Sequence, residues 1–113
     1  MIHEMKLKAE PFYKIKNGLK TVELRLYDEK RQKIAIGDEI KFKLDGGEES
    51  LRTEVVELYR FPSFEELYST LPLTDCGYTG DELCHASYLD MQQYYSLEET
   101  LKYGVVGIRI RLL

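Results

Sequence analysis

The sequence has 113 residues, of which 43% are hydrophobic and 32% are charged, and its formal net charge is −4. This length and composition are typical of one globular domain, and a net negative charge argues against a protein that binds long duplex DNA through its phosphates. No apolar run approaches the ~20 residues of a membrane span and the first residues lack the apolar centre of a secretory signal, so we expect a cytoplasmic protein with no membrane partner.

The first half of the chain alternates strand patterns with one short helix. Residues 3–8 alternate weakly and predict a first strand, and residues 10–18 have helical spacing, with a proline in the first turn and a glycine at the end. A loop with a short helical turn ends at Gly37 and Asp38, and a hairpin turn is predicted at 45–50. Three stretches with apolar residues at alternate positions predict further strands: 20–26, 39–44 and 51–61.

Short helices dominate the second half of the chain until a last strand. Ser63 and Ser96 are each followed by a glutamate three positions later, which is the capping-box pattern of a helix start. Pro72 ends the first of these helices. A longer helix is predicted over 81–95, and the alternation at 105–113 predicts a strand.

These elements predict an α+β fold, a mostly antiparallel β-barrel-like sheet with short flanking helices. No internal repeat, low-complexity tract or linker interrupts the chain, so we predict a single domain over residues 1–113. Because strands lie at both ends of the chain, we expect the C-terminal strand to close the sheet.

Cys76 and Cys84, with His85 beside the second, are the nearest approach to a metal site. A structural zinc site needs four ligands at close spacing, and His3 lies far away in sequence. Reduced thiols are the usual state in the cytoplasm. No phosphate-binding glycine loop is present. We therefore predict no metal and no cofactor.

Lys20, Glu23 and Arg25 are the leading candidates for a functional site. Glu23 and Arg25 are two residues apart on a strand and share one face with Thr21, while Lys20 stands at the start of the strand. On a concave face these charges need partners or a ligand, and a Lys–Glu pair could perform acid–base chemistry, with Lys20 and Glu23 as catalytic residues. Spacing alone favours an ordinary surface ion pair.

Tyrosine is abundant, with nine residues against no tryptophan. Tyrosines stack on bases in proteins that bind single-stranded nucleic acid, although they more often pack at the rim of a small core. We expect Tyr94 or Tyr95 to reach a pocket. Residues 1–43 carry eleven Lys and Arg against seven Asp and Glu, which gives either a surface for an anionic ligand or an ordinary solvated surface.

Two stretches, "GLKTVELRL" and "IAIGDEIKF", resemble the signature of the ASCH domain, which is part of the PUA-like superfamily. That signature is Gly-x-Lys-x-x-Glu-x-Arg, followed further along by Gly-Asp and a strand. The residues that match it are Gly18, Lys20, Glu23, Arg25, Gly37 and Asp38. The flanking segments "FPSFEELY" and "YYSLEETLKYGVVGIRI" are similar to small stand-alone bacterial members.

The resemblance implies a β-barrel-like fold with a cleft that is proposed, in the family, to bind RNA or a modified nucleoside. It implies that Lys20, Glu23 and Arg25 line this cleft. Asp38, a plain turn residue by spacing alone, joins the ligand-binding candidates as a signature match. Tyr94 and Tyr95 complete the set.

Some similar small proteins are amidohydrolases that remove the acyl group from N4-acetylcytidine with a lysine, a threonine and a glutamate. Lys20 matches that lysine, but Glu23 occupies the place of the threonine and Thr21 lies elsewhere. Three residues are candidates for the glutamate: Glu65, Glu66 and Glu82.

The leading hypothesis is a binding module for RNA or a small nucleoside or nucleotide, with no duplex DNA as a partner. The alternative is an amidohydrolase acting on N4-acylated cytidine-type nucleosides. A second alternative is a protein-interaction domain that docks through the acidic, tyrosine-rich second half. The long segment 71–95 is a candidate lid over the cleft.

Overall fold

The computed structural model describes residues 1–113. The strands and α-helices, in chain order, are β1 (Ile2–Leu7), α1 (Ala9–Lys16), β2 (Val22–Leu26), β3 (Glu39–Leu44), β4 (Ser50–Phe61), α2 (Phe64–Thr70), α3 (Leu97–Tyr103) and β5 (Val105–Leu112). Three 3₁₀ helices lie in the connections, at Arg31–Lys33, Gly80–His85 and Tyr88–Gln93. None of the helices is long and apolar enough to cross a membrane.

One five-stranded sheet in the order β1-β3-β4-β5-β2 forms the centre of the fold. All neighbouring strands are antiparallel except β1 and β3, and the sheet curls into a half-barrel. This confirms the predicted α+β fold with a mostly antiparallel sheet.

The C-terminal strand does not close the sheet, so that expectation is wrong. β5 lies between β4 and β2, and the two edges of the sheet are β1 and β2. The physical reason is visible in the burial of β5, where Val105, Val106 and Ile108 are all at most 1% exposed. A strand that is buried on both faces belongs at the centre of a sheet.

Two apolar clusters pack against the sheet. Because successive strand residues point to opposite faces, neighbouring residues of β5 enter different clusters. The inner cluster contains Met5, Leu7, Phe12, Ile15, Ile34, Ile40, Phe42, Val55, Val106, Ile108 and Ile110. The outer cluster, under α2 and the 3₁₀ helix Tyr88–Gln93, contains Val22, Leu24, Phe64, Leu67, Leu71, Cys76, Met91 and Val105.

The pairing of β2 with β5 decides where the charged residues of β2 point. Glu23 lies opposite Ile108 and Arg25 lies opposite Val106, so both charged side chains are on the face of the inner cluster. Thr21 does not share this face, contrary to the prediction. It precedes β2, and its hydroxyl lies 3.5 Å from Nη1 of Arg109.

Serine caps set the starts of two helices as predicted. The Ser63 side chain accepts the backbone N–H of Glu66, and Ser96 and Glu99 form a complete capping box. The single helix predicted over 81–95 is wrong, because two 3₁₀ helices occupy this segment. Ser87 interrupts it by accepting the N–H of Leu89, since a serine that bonds the local backbone favours a new helix start over continuation.

Gly104 joins α3 to β5 in a conformation that requires glycine, with φ 72° and ψ −171°. An added Cβ would lie 3.0 Å from the carbonyl oxygen of Phe61. We expect Gly104→Ala to lower the free energy of unfolding by about 1–3 kcal/mol, measured by urea denaturation. Gly46→Ala is the control, because Gly46 also has a positive φ but has nothing within 4 Å of its Cβ position. Equal losses in the two variants would contradict a steric role for Phe61.

Candidate functional site

A cleft of about 480 Å³ opens at the seam between β1 and β2, the two edges of the sheet. Its first wall consists of residues at the end of β1 and on α1. Its floor is formed by β2 and Lys20, and its second wall by the segment 76–95 together with Tyr68. The segment suggested as a lid is therefore a wall of the cleft.

Lys20, Glu23 and Arg25 come together at the floor of the cleft. Oε1 of Glu23 lies 2.8 Å from Nζ of Lys20, and Oε2 lies 2.9 Å from Nε and 2.8 Å from Nη2 of Arg25. Glu23 is only 3% exposed. A buried carboxylate is tolerated here because two cations compensate for the loss of water.

The electrostatics of Glu23 favour a fixed negative charge. Burial alone would raise the pKa of Glu23, but the charges of Lys20 and Arg25 outweigh it and lower the pKa to about 2. A general base works best when its pKa is near the operating pH. Glu23 is therefore better suited to accept a hydrogen bond from a ligand than to take a proton from water.

Arg25 connects the two edge strands. Its Nη2 donates to the backbone carbonyl of Lys6 on β1, at 3.1 Å, while its Nε donates to Glu23 on its own strand. Burial disfavours the charged guanidinium, but Glu23, followed by the nearby phenol of Tyr95, outweighs it and raises the pKa of Arg25. The Arg25 side chain thus links β1 and β2, which are not paired with each other in the sheet.

Tyrosines form much of the second wall. Tyr94 and Tyr95 both line the cleft, as do Tyr68 and Tyr78. Tyr95 stacks on Phe64 with ring centroids 6.0 Å apart, and the Lys8 ammonium lies 5.8 Å from the centre of the Tyr94 ring. The sequence predicts that Tyr94 or Tyr95 reaches a pocket but does not predict the contribution of Tyr68 and Tyr78. The positions of these two residues follow from the packing of α2 against the 3₁₀ helices.

Asp38 does not enter the cleft. Its carboxylate accepts the backbone N–H of Ala35 at 3.0 Å and is 2.9 Å from Nε2 of His3. The hydrogen bond with His3, followed by that from Ala35, lowers the pKa of Asp38 to about 2. In this structure the Gly-Asp part of the signature fixes the turn before β3 and ties it to β1.

Only one of the three candidate glutamates reaches the cleft. Glu82 lines it, whereas Glu65 and Glu66 on α2 do not. Nζ of Lys14 lies 3.0 Å from Oε1 of Glu82 and donates to the carbonyl oxygen of Gly77 at 2.6 Å. This pair anchors the second wall of the cleft to α1.

The two cysteines differ in their surroundings. Cys76 is buried in the cleft, and this burial raises the pKa of its thiol to about 11, so it is an unreactive, protonated group. Cys84 is exposed and free. No group of three or more His, Cys, Asp or Glu residues is arranged to hold a metal ion.

The family model of the ASCH domain matches residues 5–113, and the chain belongs to the ASCH domain family. It is similar over its whole length to the crystal structure of hypothetical protein PH0355, with 36% identity, full coverage of both chains and a TM-score of 0.83. It is also similar to the solution structure of protein PF0455 from Pyrococcus furiosus, with 35% identity, 100% coverage of this chain and 98% of that chain, and a TM-score of 0.72. No match was found among curated proteins.

These comparisons confirm the resemblance that the signature suggested, at the level of the family. The similarity to bacterial members stays a prediction, since the relative from Pyrococcus furiosus is archaeal. The half-barrel and its helices are shared with the similar structures along the full chain.

Proposed function

We propose that the cleft binds an RNA nucleotide or a modified nucleoside. The observation that carries this proposal is the buried Lys20–Glu23–Arg25 group at the floor of a cleft with a tyrosine-rich wall. Membership of a PUA-like family associated with RNA binding supports it. The volume, about 480 Å³, is within the range of small-ligand sites, about 300–1,000 Å³.

The floor offers both a donor and an acceptor to a nucleobase. Oε1 of Glu23 has one protein partner, so it keeps a lone pair for a ligand N–H. The Lys20 ammonium has three protons and gives one to Glu23, so it can donate to a ring nitrogen or carbonyl. Tyr94 is half exposed at the wall and is suited to stack on the base.

The phosphate groups of a bound nucleotide are expected to form ion pairs with Lys6 and Lys8 at the first wall. Both line the cleft, and neither forms an ion pair within the protein. The cleft as a whole is balanced, with five Lys and Arg against five Asp and Glu, which favours a ligand of one or a few nucleotides over a long polyanion. A cytoplasmic location, where free thiols such as Cys76 and Cys84 are stable, belongs to the same proposal.

Amidohydrolysis of an N4-acylated cytidine is the alternative, and the presence of both Lys20 and Glu82 in the cleft favours testing it. Against it stands Glu23, which occupies the place of the threonine and whose low pKa makes it a poor base. Binding without turnover therefore agrees better with the geometry.

Lys20→Met is expected to weaken ligand binding at least tenfold, because a charge-assisted hydrogen bond contributes about 1.5–3 kcal/mol. The measurement is isothermal titration calorimetry with N4-acetylcytidine, cytidine and a short single-stranded RNA. Lys43→Met is the matched control, since Lys43 pairs with Glu4 outside the cleft. This variant should bind the ligands as tightly as the wild-type protein does.

The same samples separate the two functions. Mass spectrometry of N4-acetylcytidine incubated with the wild-type protein is expected to show no deacetylation. Turnover that disappears in Lys20→Met would establish the amidohydrolase instead. A folded wild-type protein that neither binds nor converts any of these compounds would refute the proposed function.

A further inference from the structure

Three polar side chains form a chain of hydrogen bonds along the second wall of the cleft. The hydroxyl of Tyr68 lies 2.6 Å from that of Tyr78, and the hydroxyl of Tyr78 lies 2.8 Å from Oδ2 of Asp90. All three residues line the cleft, together with the charged floor residues Lys20, Glu23 and Arg25. They come from three separate places, namely α2, the turn before the 3₁₀ helix Gly80–His85, and the 3₁₀ helix Tyr88–Gln93.

The direction of this chain of hydrogen bonds is fixed by its end. Oδ2 of Asp90 accepts the hydroxyl of Tyr78 at 2.8 Å and the backbone N–H of Ser87 at 3.2 Å. Tyr78 has a single proton and must give it to Asp90. Tyr68 must therefore give its own proton to Tyr78, and its oxygen has only acceptor capacity left.

Both phenols keep their protons at neutral pH. Burial raises the pKa of Tyr68 to about 12, and burial together with the hydrogen bonds of Tyr68 and Asp90 raises the pKa of Tyr78 further. The arrangement is thus a permanent feature of the cleft at neutral pH.

We propose that the hydroxyl of Tyr68 accepts a hydrogen bond from an amino group of the bound nucleobase, so that the cleft selects bases with an amino group over bases with a carbonyl at that position. This inference rests on the proposed function and specifies its ligand. A carbonyl oxygen facing Tyr68 would meet a second acceptor and lose its own hydrogen bond to water, which sites of this kind discriminate against.

The first test compares the wild-type protein with Tyr68→Phe. The affinity of the wild-type protein is measured by calorimetry for cytidine and for pyrimidin-2-one riboside, which lacks only the amino group, and likewise for adenosine and purine riboside. We expect removal of the amino group to weaken binding about tenfold in at least one pair, the value of one good hydrogen bond. In Tyr68→Phe the same removal should cost less than about twofold.

The second test weakens the selectivity for an amino group. Tyr78→Phe takes away the group that receives the proton of Tyr68, so Tyr68 becomes free to donate toward the ligand. The ratio of cytidine affinity to uridine affinity should fall at least about fivefold relative to the wild type. Tyr103→Phe is the control, because it removes a hydroxyl outside the cleft, next to Glu29, and should leave every ratio unchanged.

The outcomes distinguish this inference from the function on which it rests. If the wild-type protein binds nucleosides but does not respond to removal of the amino group in either pair, the role of Tyr68 is refuted while the binding function stands. A ratio that is unchanged in Tyr78→Phe would refute the fixed proton direction. If none of the nucleosides binds, the proposed function fails and the inference fails with it.

Discussion

Replacing Glu23 with alanine is expected to lower the free energy of unfolding by about 3–5 kcal/mol, the usual cost of leaving a buried charge without its partner. The variant would leave Lys20 and Arg25 facing each other at the floor of the cleft, with side chains that are only 12% and 13% exposed. It would also release the guanidinium that bridges to the carbonyl of Lys6. Such a loss is a large part of the stability of a small domain, about 5–15 kcal/mol.

Urea denaturation followed by circular dichroism measures this loss. Glu39→Ala is the matched control, because Glu39 pairs with Arg52 at 2.9 Å but both side chains are solvated, at 28% and 64% exposed. Removing such a surface pair should cost less than about 1 kcal/mol. If the two glutamate variants lost the same stability, the buried group would not hold the floor of the cleft together.

Acid is expected to weaken the protein through the same carboxylate. The pKa of Glu23 is about 2 in the folded protein against an ordinary value of 4.5. Because the folded pKa is the lower one, the stabilisation is complete above about pH 4.5 and is lost as the pH falls toward 2. A difference of this size corresponds to about 3 kcal/mol.

The acid profile is measured as the free energy of unfolding between about pH 6 and pH 2, roughly two units on either side of the pKa of an ordinary carboxylate. The hydrogen bond with His3 also lowers the pKa of Asp38 to about 2, so the titrations of both Glu23 and Asp38 contribute to the wild-type curve. Glu23→Gln isolates the first contribution, since it keeps the shape of the side chain and removes its titration. We expect a flatter curve in this variant, and two parallel curves would rule out Glu23 as the acid-sensitive group.

The local pattern of the sequence was enough to predict most strands and the face that Glu23 and Arg25 share. Alternation decides which side chains lie together on a strand, and that rule holds within a single element. It also explains why Thr21 was misplaced. The predicted strand starts at residue 20, whereas β2 starts at Val22, and at this start the backbone N–H groups of Thr21 and Val22 both donate to the carbonyl of Asp75.

The arrangement of distant segments could not be predicted in this way. The position of β5 between β4 and β2 depends on which strands pair, and the wall with Tyr68 and Tyr78 depends on how α2 packs against the segment 76–95. Asp38 shows a further limit, because a signature match does not reveal whether a residue contacts a ligand or stabilises a turn. In the structure the carboxylate of Asp38 bonds to His3 and to the backbone of Ala35, contacts that the signature does not indicate.

The interior position of β5, between β4 and β2, has a consequence for the order in which the protein assembles during synthesis. β1, β3 and β4 can pair with one another as soon as residue 61 has left the ribosome, but the only strand partner of β2 is β5, which is made after every other element. Until then β2 has no place in the sheet, and long-range pairing of this kind is slow. A nascent chain that stops before residue 105 therefore has a partial sheet but no seam between β1 and β2, and so no cleft.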